Sequence, residues 1–276
     1  MHQRVSVNSI CFMGTSLEQQ AAYWRSLQAG RVSLLGDQIF DEGTSRAGEV
    51  LEREGCGLET IVLPLLPGRS LPSDRSLWEA PRTRLSSQIE AAHSLGARSI
   101  YMTTGGHGGM TWEQAAETFA EIIAPCVSLA RSAGIALMIE NAPPPYADIH
   151  IAHTLRDAVA LAELADIGVC IDLVGCWTEA GLHTSIERAV ARCSLVQVSD
   201  YVCGDRCVPA RAVPGDGDVP LERLFGWILD AGYQGCFDLE LLGPRIEEEG
   251  PLEAVRRAAH AVGKLLQSLD TRKPAS

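Results

Sequence analysis

Short apolar runs alternate with amphipathic segments from one end of the chain to the other, and eight such pairs can be counted. Runs this short and this rich in branched apolar residues fit buried strands, and the spacing predicts them over Val5–Phe12, Arg31–Leu35, Glu59–Leu65, Arg98–Thr103, Ile135–Ile139, Ile167–Ile171, Leu195–Ser199 and Cys236–Glu240. A pattern of helical period follows each: Ser16–Leu27, Ser45–Glu54, Leu77–Leu95, Thr111–Ala133, Leu155–Ala165, Glu179–Arg192, Leu221–Ala231 and Leu252–Leu269. The stretches SLG, SAG and DAGYQG set glycine just past three of these helices, where a left-handed residue ends a helix cheaply. Repeated βα units imply a parallel sheet, and eight of them predict closure into a single (β/α)8 TIM barrel over residues 1–270, with 271–276 as a frayed tail. No second domain, repeat or low-complexity tract interrupts the pattern.

The strand LVQVSD raises a question, because side chains alternate across a strand and Gln197 falls where apolar atoms are usual. The same alternation groups Met138 with Glu140, Cys170 with Asp172, and Cys236 with Asp238 and Glu240. If the apolar side packs on the helices, Glu140, Asp172, Gln197 and Glu240 all point inward at the carboxyl ends of strands five to eight, the end where barrels of this kind carry their sites. Three converging carboxylates in a low-dielectric interior repel one another unless a cation neutralises them. A divalent metal held by Glu140, Asp172, Gln197 and Glu240 resolves the conflict, and oxygen donors suit Mn²⁺ or Mg²⁺, with Co²⁺ or Zn²⁺ also compatible. The alternative for each acid is a helix cap or an arginine partner, and for Gln197 a satisfied core amide.

Composition narrows the partners. With 276 residues, 46% hydrophobic and 21% charged, the chain is long enough for one large core. A net charge of −12 opposes binding to nucleic acid and to anionic membranes, and no apolar run is long enough to span a bilayer. The expected partner is a small-molecule substrate, and a homo-oligomer is compatible. Nine scattered cysteines without a CxxC pair, and an N-terminus without a signal-like apolar run, point to a reducing, cytoplasmic setting.

IEN at Glu140, CIDL at Asp172, VQVSD at Gln197, RAVPGDGDVPL and GYQGCFDLE at Glu240 resemble the xylose-isomerase-like TIM-barrel superfamily over nearly the whole chain. That superfamily includes ketose 3-epimerases, hydroxypyruvate isomerase, inosose dehydratase, 3-dehydroshikimate dehydratase and endonuclease IV. The resemblance implies a metal site on the four residues. Most members place His where Gln197 stands, hydroxypyruvate isomerases and some 3-dehydroshikimate dehydratases place Gln, and the substrate-contacting His that many have three residues after the strand-six Asp is Gly175 here. A nuclease would need further His ligands and a basic groove, and neither is visible.

Around the barrel mouth, Arg206 and Arg211 lie in a loop of about twenty residues after strand seven, a length usually kept for function. They and Arg245 are candidates to clamp a carboxylate or phosphate, against the alternative of pairing with Asp205 or Asp216. His107 on TTGGHGG could bind substrate oxygen or relay protons, Trp177 and Glu179 could line the wall, and Tyr146 could cover the site. Cys203 and Cys207 read as ordinary thiols, and His150, His153 and His183 as structural. These features predict a metal-dependent isomerase or epimerase of a small hydroxy-ketone of the carbohydrate type, with Glu140 and Glu240 moving the proton on either face of an enediolate. A dehydratase of the inosose or 3-dehydroshikimate type is the alternative, and a non-catalytic binding barrel the bland one.

Overall fold

A computed structural model describes residues 1–271, so most of the expected tail, 272–276, lies outside the described residues. Eight strands form one parallel, closed sheet: β1 (Val5–Asn8), β2 (Arg31–Leu35), β3 (Gly57–Pro64), β4 (Ser99–Thr103), β5 (Ala136–Glu140), β6 (Gly168–Asp172), β7 (Cys193–Val198) and β8 (Cys236–Leu239). Each pairs with the next, and β8 pairs with β1, Val5 opposite Phe237, which closes the barrel. All eight predicted strands are present. The first is shorter than its apolar run because the Asn8 side chain accepts the Ile10 N–H (3.0 Å) and turns the chain into a 3-10 segment, Ser9–Phe12.

The helices fill the outside. Leu17–Leu27 and Trp112–Ala133 open with reciprocal capping boxes, Ser16 with Gln19 and Thr111 with Gln114, and Gly134 at φ 72° ends the second. The helix expected from Glu179 begins at Leu182 because Gly181 adopts a left-handed conformation, φ 72°. Among the described residues no helix is long and apolar enough to cross a membrane.

Alternation divides the strands into two apolar surfaces. Ile139, Val169, Ile171, Val196, Val198, Phe237 and Leu239 join the large core beneath the helices. Val62, Tyr101, Met138, Cys170, Leu195 and Cys236 form a separate cluster within the barrel. Glu140, Asp172 and Gln197 continue the inner surface one step toward the carboxyl ends, with Asp172 registered against Gln197 and Gln197 against Asp238. Asp238 is fully buried and accepts hydrogen bonds from Ser6 Oγ (2.6 Å), Ser33 Oγ (2.8 Å) and Asn8 Nδ2 (2.8 Å). Burial lifts its pKa to about 6, with the three hydrogen bonds pulling the other way.

The long connection after β7 is organised by one carboxylate. Asp200 accepts the backbone N–H groups of Tyr201 (2.8 Å), Gly215 (2.9 Å), Gly217 (3.1 Å) and Val219 (3.0 Å). A Cβ at position 217 would lie 2.4 Å from Asp200 Oδ1, so PGDG supplies glycine where the backbone must touch this anion. Asp200→Ala strips the acceptor from four N–H groups. The expected loss is roughly 2–4 kcal/mol in urea unfolding, with new proteolytic cleavage between 200 and 220; an unchanged midpoint and an intact loop would contradict this role.

Candidate active site

The four inward residues lie together at the barrel mouth, and all are buried: Glu140 (8% exposed), Asp172 (1%), Gln197 (0%) and Glu240 (7%). Asn141 clamps Asp172 in both directions, donating from Nδ2 to its carbonyl (2.9 Å) and accepting its N–H at Oδ1 (3.0 Å). His150 is held as a neutral tautomer: its Nε2–H donates to the Glu140 carbonyl (2.7 Å) while Nδ1 accepts the Thr104 N–H (3.1 Å). Burial lowers its pKa to about 4, so it pins β5 without adding charge.

Arg211 is the cation that the acids meet in the folded chain. Its guanidinium grips Asp172 with two hydrogen bonds, Nη1 to Oδ1 (3.2 Å) and Nη2 to Oδ2 (2.8 Å), and Nη2 lies 3.7 Å from Glu240 Oε1. Burial opposes the charge on Arg211, but Asp172 and Glu240 outweigh it and hold the guanidinium firmly protonated. Gln197 is a satisfied amide in this arrangement. Nε2 donates to Tyr101 Oη (3.0 Å) and to Glu240, and Oε1 accepts from Cys170 Sγ (3.3 Å). Tyr101 Oη also accepts from Asn8 Nδ2 (3.4 Å), so a hydrogen-bonded chain runs from Asp238 through Asn8, Tyr101 and Gln197 to Glu240.

One guanidinium does not balance three acids. Desolvation, then the charges of Glu240 and Asp172, push the Glu140 carboxyl well above the usual range, with Arg211 opposing. Glu240 rises to about 7, chiefly by desolvation, with Arg211 pulling it down and Asp172 and Asp238 pushing it up.

The expectations at the mouth separate into two groups. Arg206, Arg211, Trp177 and Tyr146 line one cavity of about 380 Å³, which meets the acids only through Arg211. Arg245 is not among its lining residues: it is exposed and pairs with Asp205 (2.7 Å and 3.1 Å), which is one of them. His107 is not among the residues lining this cavity, and its Nδ1 is buried without a hydrogen-bond partner among the described residues. Glu179 also lies outside that lining, and its carboxylate accepts the Leu155 N–H at the start of the helix Leu155–Ala165. His153 bonds the Ala142 carbonyl (3.0 Å) and His183 packs edge-on against Trp227 at 4.9 Å, both structural as expected. Tyr101 and Asn8 escaped sequence reasoning; a tyrosine in an apolar strand carries no mark of function.

A family model described as xylose isomerase-like TIM barrel matches residues 21–264. The chain belongs to this family. Among solved structures it is similar to protein SMc04130 from Sinorhizobium meliloti 1021, with a TM-score of 0.85, 23% identity and coverage of 95% of this chain and 98% of that one. The IOLI protein, in a structure described as having a binding zinc atom, has a TM-score of 0.81 at 12% identity and coverage of 97% and 99%. L-ribulose 3-epimerase has a TM-score of 0.78 at 17% identity and coverage of 98% and 99%. At these identities the structural likenesses speak to the fold. Curated protein sequences give no significant match.

The donor set fits a hard divalent ion in charge and chemistry. Three carboxyls and an amide face one guanidinium, and the Glu140 carboxyl has no hydrogen-bond or ion-pair partner among the described residues. The expected four-ligand geometry is not assembled: among the described residues no three His, Cys, Asp or Glu groups converge to hold a metal ion. The physical reason is visible in the contacts, since Arg211 holds both Asp172 oxygens and the Gln197 carbonyl faces Cys170.

Gly175, three residues after Asp172, sits where a side chain has no room. A Cβ there would lie 2.6 Å from Asn141 Nδ2, 2.9 Å from the Asn141 carbonyl and 3.1 Å from Asp172 Oδ2. Gly175→Ala should push on the Asn141 clamp and destabilise the protein by roughly 1–3 kcal/mol in urea unfolding, and wild-type stability would contradict the crowding.

The elevated Glu240 carboxyl gives a signed pH dependence. It binds its proton more tightly folded than unfolded, so its contribution is fully present below about 4.5 and is lost as pH rises through about 7. In chelator-treated protein, thermal stability should therefore decline over that window, and Glu240→Gln should flatten the decline. A wild-type profile rising across the window with no change in the variant would contradict the assignment.

Proposed function

We propose that the protein is a metal-assisted isomerase or epimerase of a small hydroxy-ketone. The observation that carries this reading is a pair of buried carboxyls, Glu140 and Glu240, on strands flanking Asp172 and Gln197, both raised above the usual range. A base with a pKa near the working pH is half ionised and still strong, which suits Glu240, while burial and the charges of Glu240 and Asp172 push Glu140 further up and suit it to the acid. Glu240 takes the proton from the carbon bearing the hydroxyl, and the C–H electron pair moves into the new carbon–carbon double bond as the carbonyl π pair shifts to oxygen. Glu140 returns a proton to the resulting enediolate. Returned to the same carbon from the opposite face the proton inverts it; returned to the neighbouring carbon, with the hydroxyl proton passing from the first oxygen to the second, it moves the carbonyl.

A divalent ion on Glu140, Asp172, Glu240 and a Gln197 carbonyl turned from Cys170 would supply polarisation of the substrate oxygens, which acidifies the C–H between them. Arg211 keeps a fixed positive charge beside Glu240 where oxyanion charge develops. The Gln197 amide orients Glu240 and, through Tyr101, ties it to the barrel floor. The Glu140 carboxyl, buried and raised well above the usual range, could equally deliver a proton to a leaving β-hydroxyl, and dehydration is the second reading.

The test incubates Mn²⁺-loaded enzyme in D₂O with ketoses, inososes and 3-dehydroshikimate. Deuterium at the α-carbon of a recovered ketone or its isomer is the expected result; a conjugated enone or aromatic product without exchange would overturn it in favour of dehydration. Glu240→Gln should lower exchange by about 10²–10⁴-fold with metal retained, and Gln197→Leu should weaken metal binding measured by calorimetry. Wild-type values in both variants would remove these roles.

A further inference from the structure

Asn8, Asn141 and Gln197 are buried carboxamides bordering the acids of the barrel, and two of the three cannot turn. Asn8 accepts the Ile10 N–H at Oδ1 (3.0 Å), so its Nδ2 must face Asp238 (2.8 Å) and Tyr101 (3.4 Å). Asn141 is fixed likewise, accepting the Asp172 N–H (3.0 Å) and donating to the Asp172 carbonyl (2.9 Å). The Gln197 side chain has no backbone partner among the described residues. Its amide meets a phenol, a thiol and a carboxylate: Tyr101 Oη, Cys170 Sγ and Glu240. A phenol and a thiol each donate or accept, so only Glu240 distinguishes the two ends of this amide.

In the present orientation one donor is left over. Tyr101 is buried, and its oxygen accepts from Asn8 Nδ2 and from Gln197 Nε2 (3.0 Å), so its own proton has no acceptor among the described residues. A buried donor without a partner is costly. Half a turn of the Gln197 amide supplies the acceptor, since the carbonyl oxygen then stands beside Tyr101 and Glu240, and Nε2 beside Cys170 Sγ. Glu240 opposes the turn, because a carbonyl oxygen and a carboxylate oxygen in contact repel each other. A divalent ion shared by those two oxygens converts the repulsion into joint coordination.

We infer, resting on the reading that Glu140, Asp172, Gln197 and Glu240 hold a divalent ion, that Tyr101 and Cys170 are positioning residues for the Gln197 ligand. Tyr101 donates its O–H to the Gln197 carbonyl oxygen, Cys170 Sγ accepts from Nε2, and the second lone pair of the carbonyl oxygen faces the ion. The amide thus has two settings. In one its N–H holds Glu240; in the other its carbonyl joins Glu240 on the ion, and Tyr101, tied through Asn8 to Asp238, keeps it there. A ligand oxygen held by such a hydrogen bond is better aimed at its ion.

Mg²⁺ alone, titrated into chelator-treated and desalted protein carrying ¹⁵N in its glutamine side chains, tests this by NMR, the Gln197 signal being the one lost in Gln197→Leu. Cross-relaxation from the Nε2 protons should reach the Tyr101 ring before Mg²⁺ is added and the Cys170 β-protons at saturation. By calorimetry, Tyr101→Phe should lower Mg²⁺ and Mn²⁺ affinity by about 10–100-fold. Cys170→Ser, which still donates or accepts, should stay within about threefold of the wild type, and Cys170→Val should bind more weakly than Cys170→Ser. Folding of each variant is checked by circular dichroism. Unchanged cross-relaxation at saturating Mg²⁺, or wild-type affinity in folded Tyr101→Phe, overturns the inference, and the first of these is read on the wild type whether or not the variant folds. Wild-type calorimetry separates the inference from the reading beneath: binding of either ion with an amide that does not turn refutes the positioning roles alone, and no binding of either ion refutes the four-ligand site and the roles with it.

Discussion

Everything at the mouth of this barrel follows from the cost of holding three carboxyl groups out of water. Buried like charges drive protonation unless a cation answers them, and the chain provides one guanidinium, Arg211, gripping Asp172 and approaching Glu240. Burial first, and then the remaining imbalance, raise Glu140 and Glu240 above the usual carboxyl range. The reactivity proposed for the site and its electrostatic strain are one property.

That balance depends on elements far apart in sequence. Asp200 gathers four backbone N–H groups and folds the β7 loop, and the antiparallel bridge between Asp200 and Ala212 places Arg211 over the β6 end. Asn141 locks Asp172 to meet it, and the space this takes excludes any side chain at Gly175. On the other side, Gln197 links Glu240 to Tyr101, Asn8 and Asp238, so the base rests on a polar floor crossing the barrel. The opening puzzle of a glutamine inside a strand therefore has a structural answer, orientation of Glu240, and its role as a ligand remains part of the proposal.

The strands were legible because a parallel barrel imposes the simplest code, apolar outward to the helices and period two along each strand. That code placed Glu140, Asp172, Gln197 and Glu240 inward from their neighbours Met138, Cys170, Leu195 and Cys236 alone. Contacts that cross the fold left no such trace. Arg206, Arg211 and Arg245 look equivalent as letters; Arg211 grips an acid 39 residues earlier, Arg245 braces an aspartate 40 residues earlier, and Arg206 is exposed to solvent. The direction of a loop side chain is set by tertiary packing, which periodicity does not carry. Asn8 was read as part of a longer strand because its capping bond to Ile10 is invisible in an apolar run.

The central claim is that burial and charge imbalance leave two carboxyls elevated and responsive to a cation. Titration of the glutamate side-chain carboxyls by ¹³C NMR, with Glu140 and Glu240 assigned by substitution, measures this directly. The account predicts a Glu240 midpoint near 7, a Glu140 midpoint well above the ordinary 4.5, and a fall in both when Mg²⁺ is added. Two ordinary titrations near 4.5, unmoved by Mg²⁺, would contradict it.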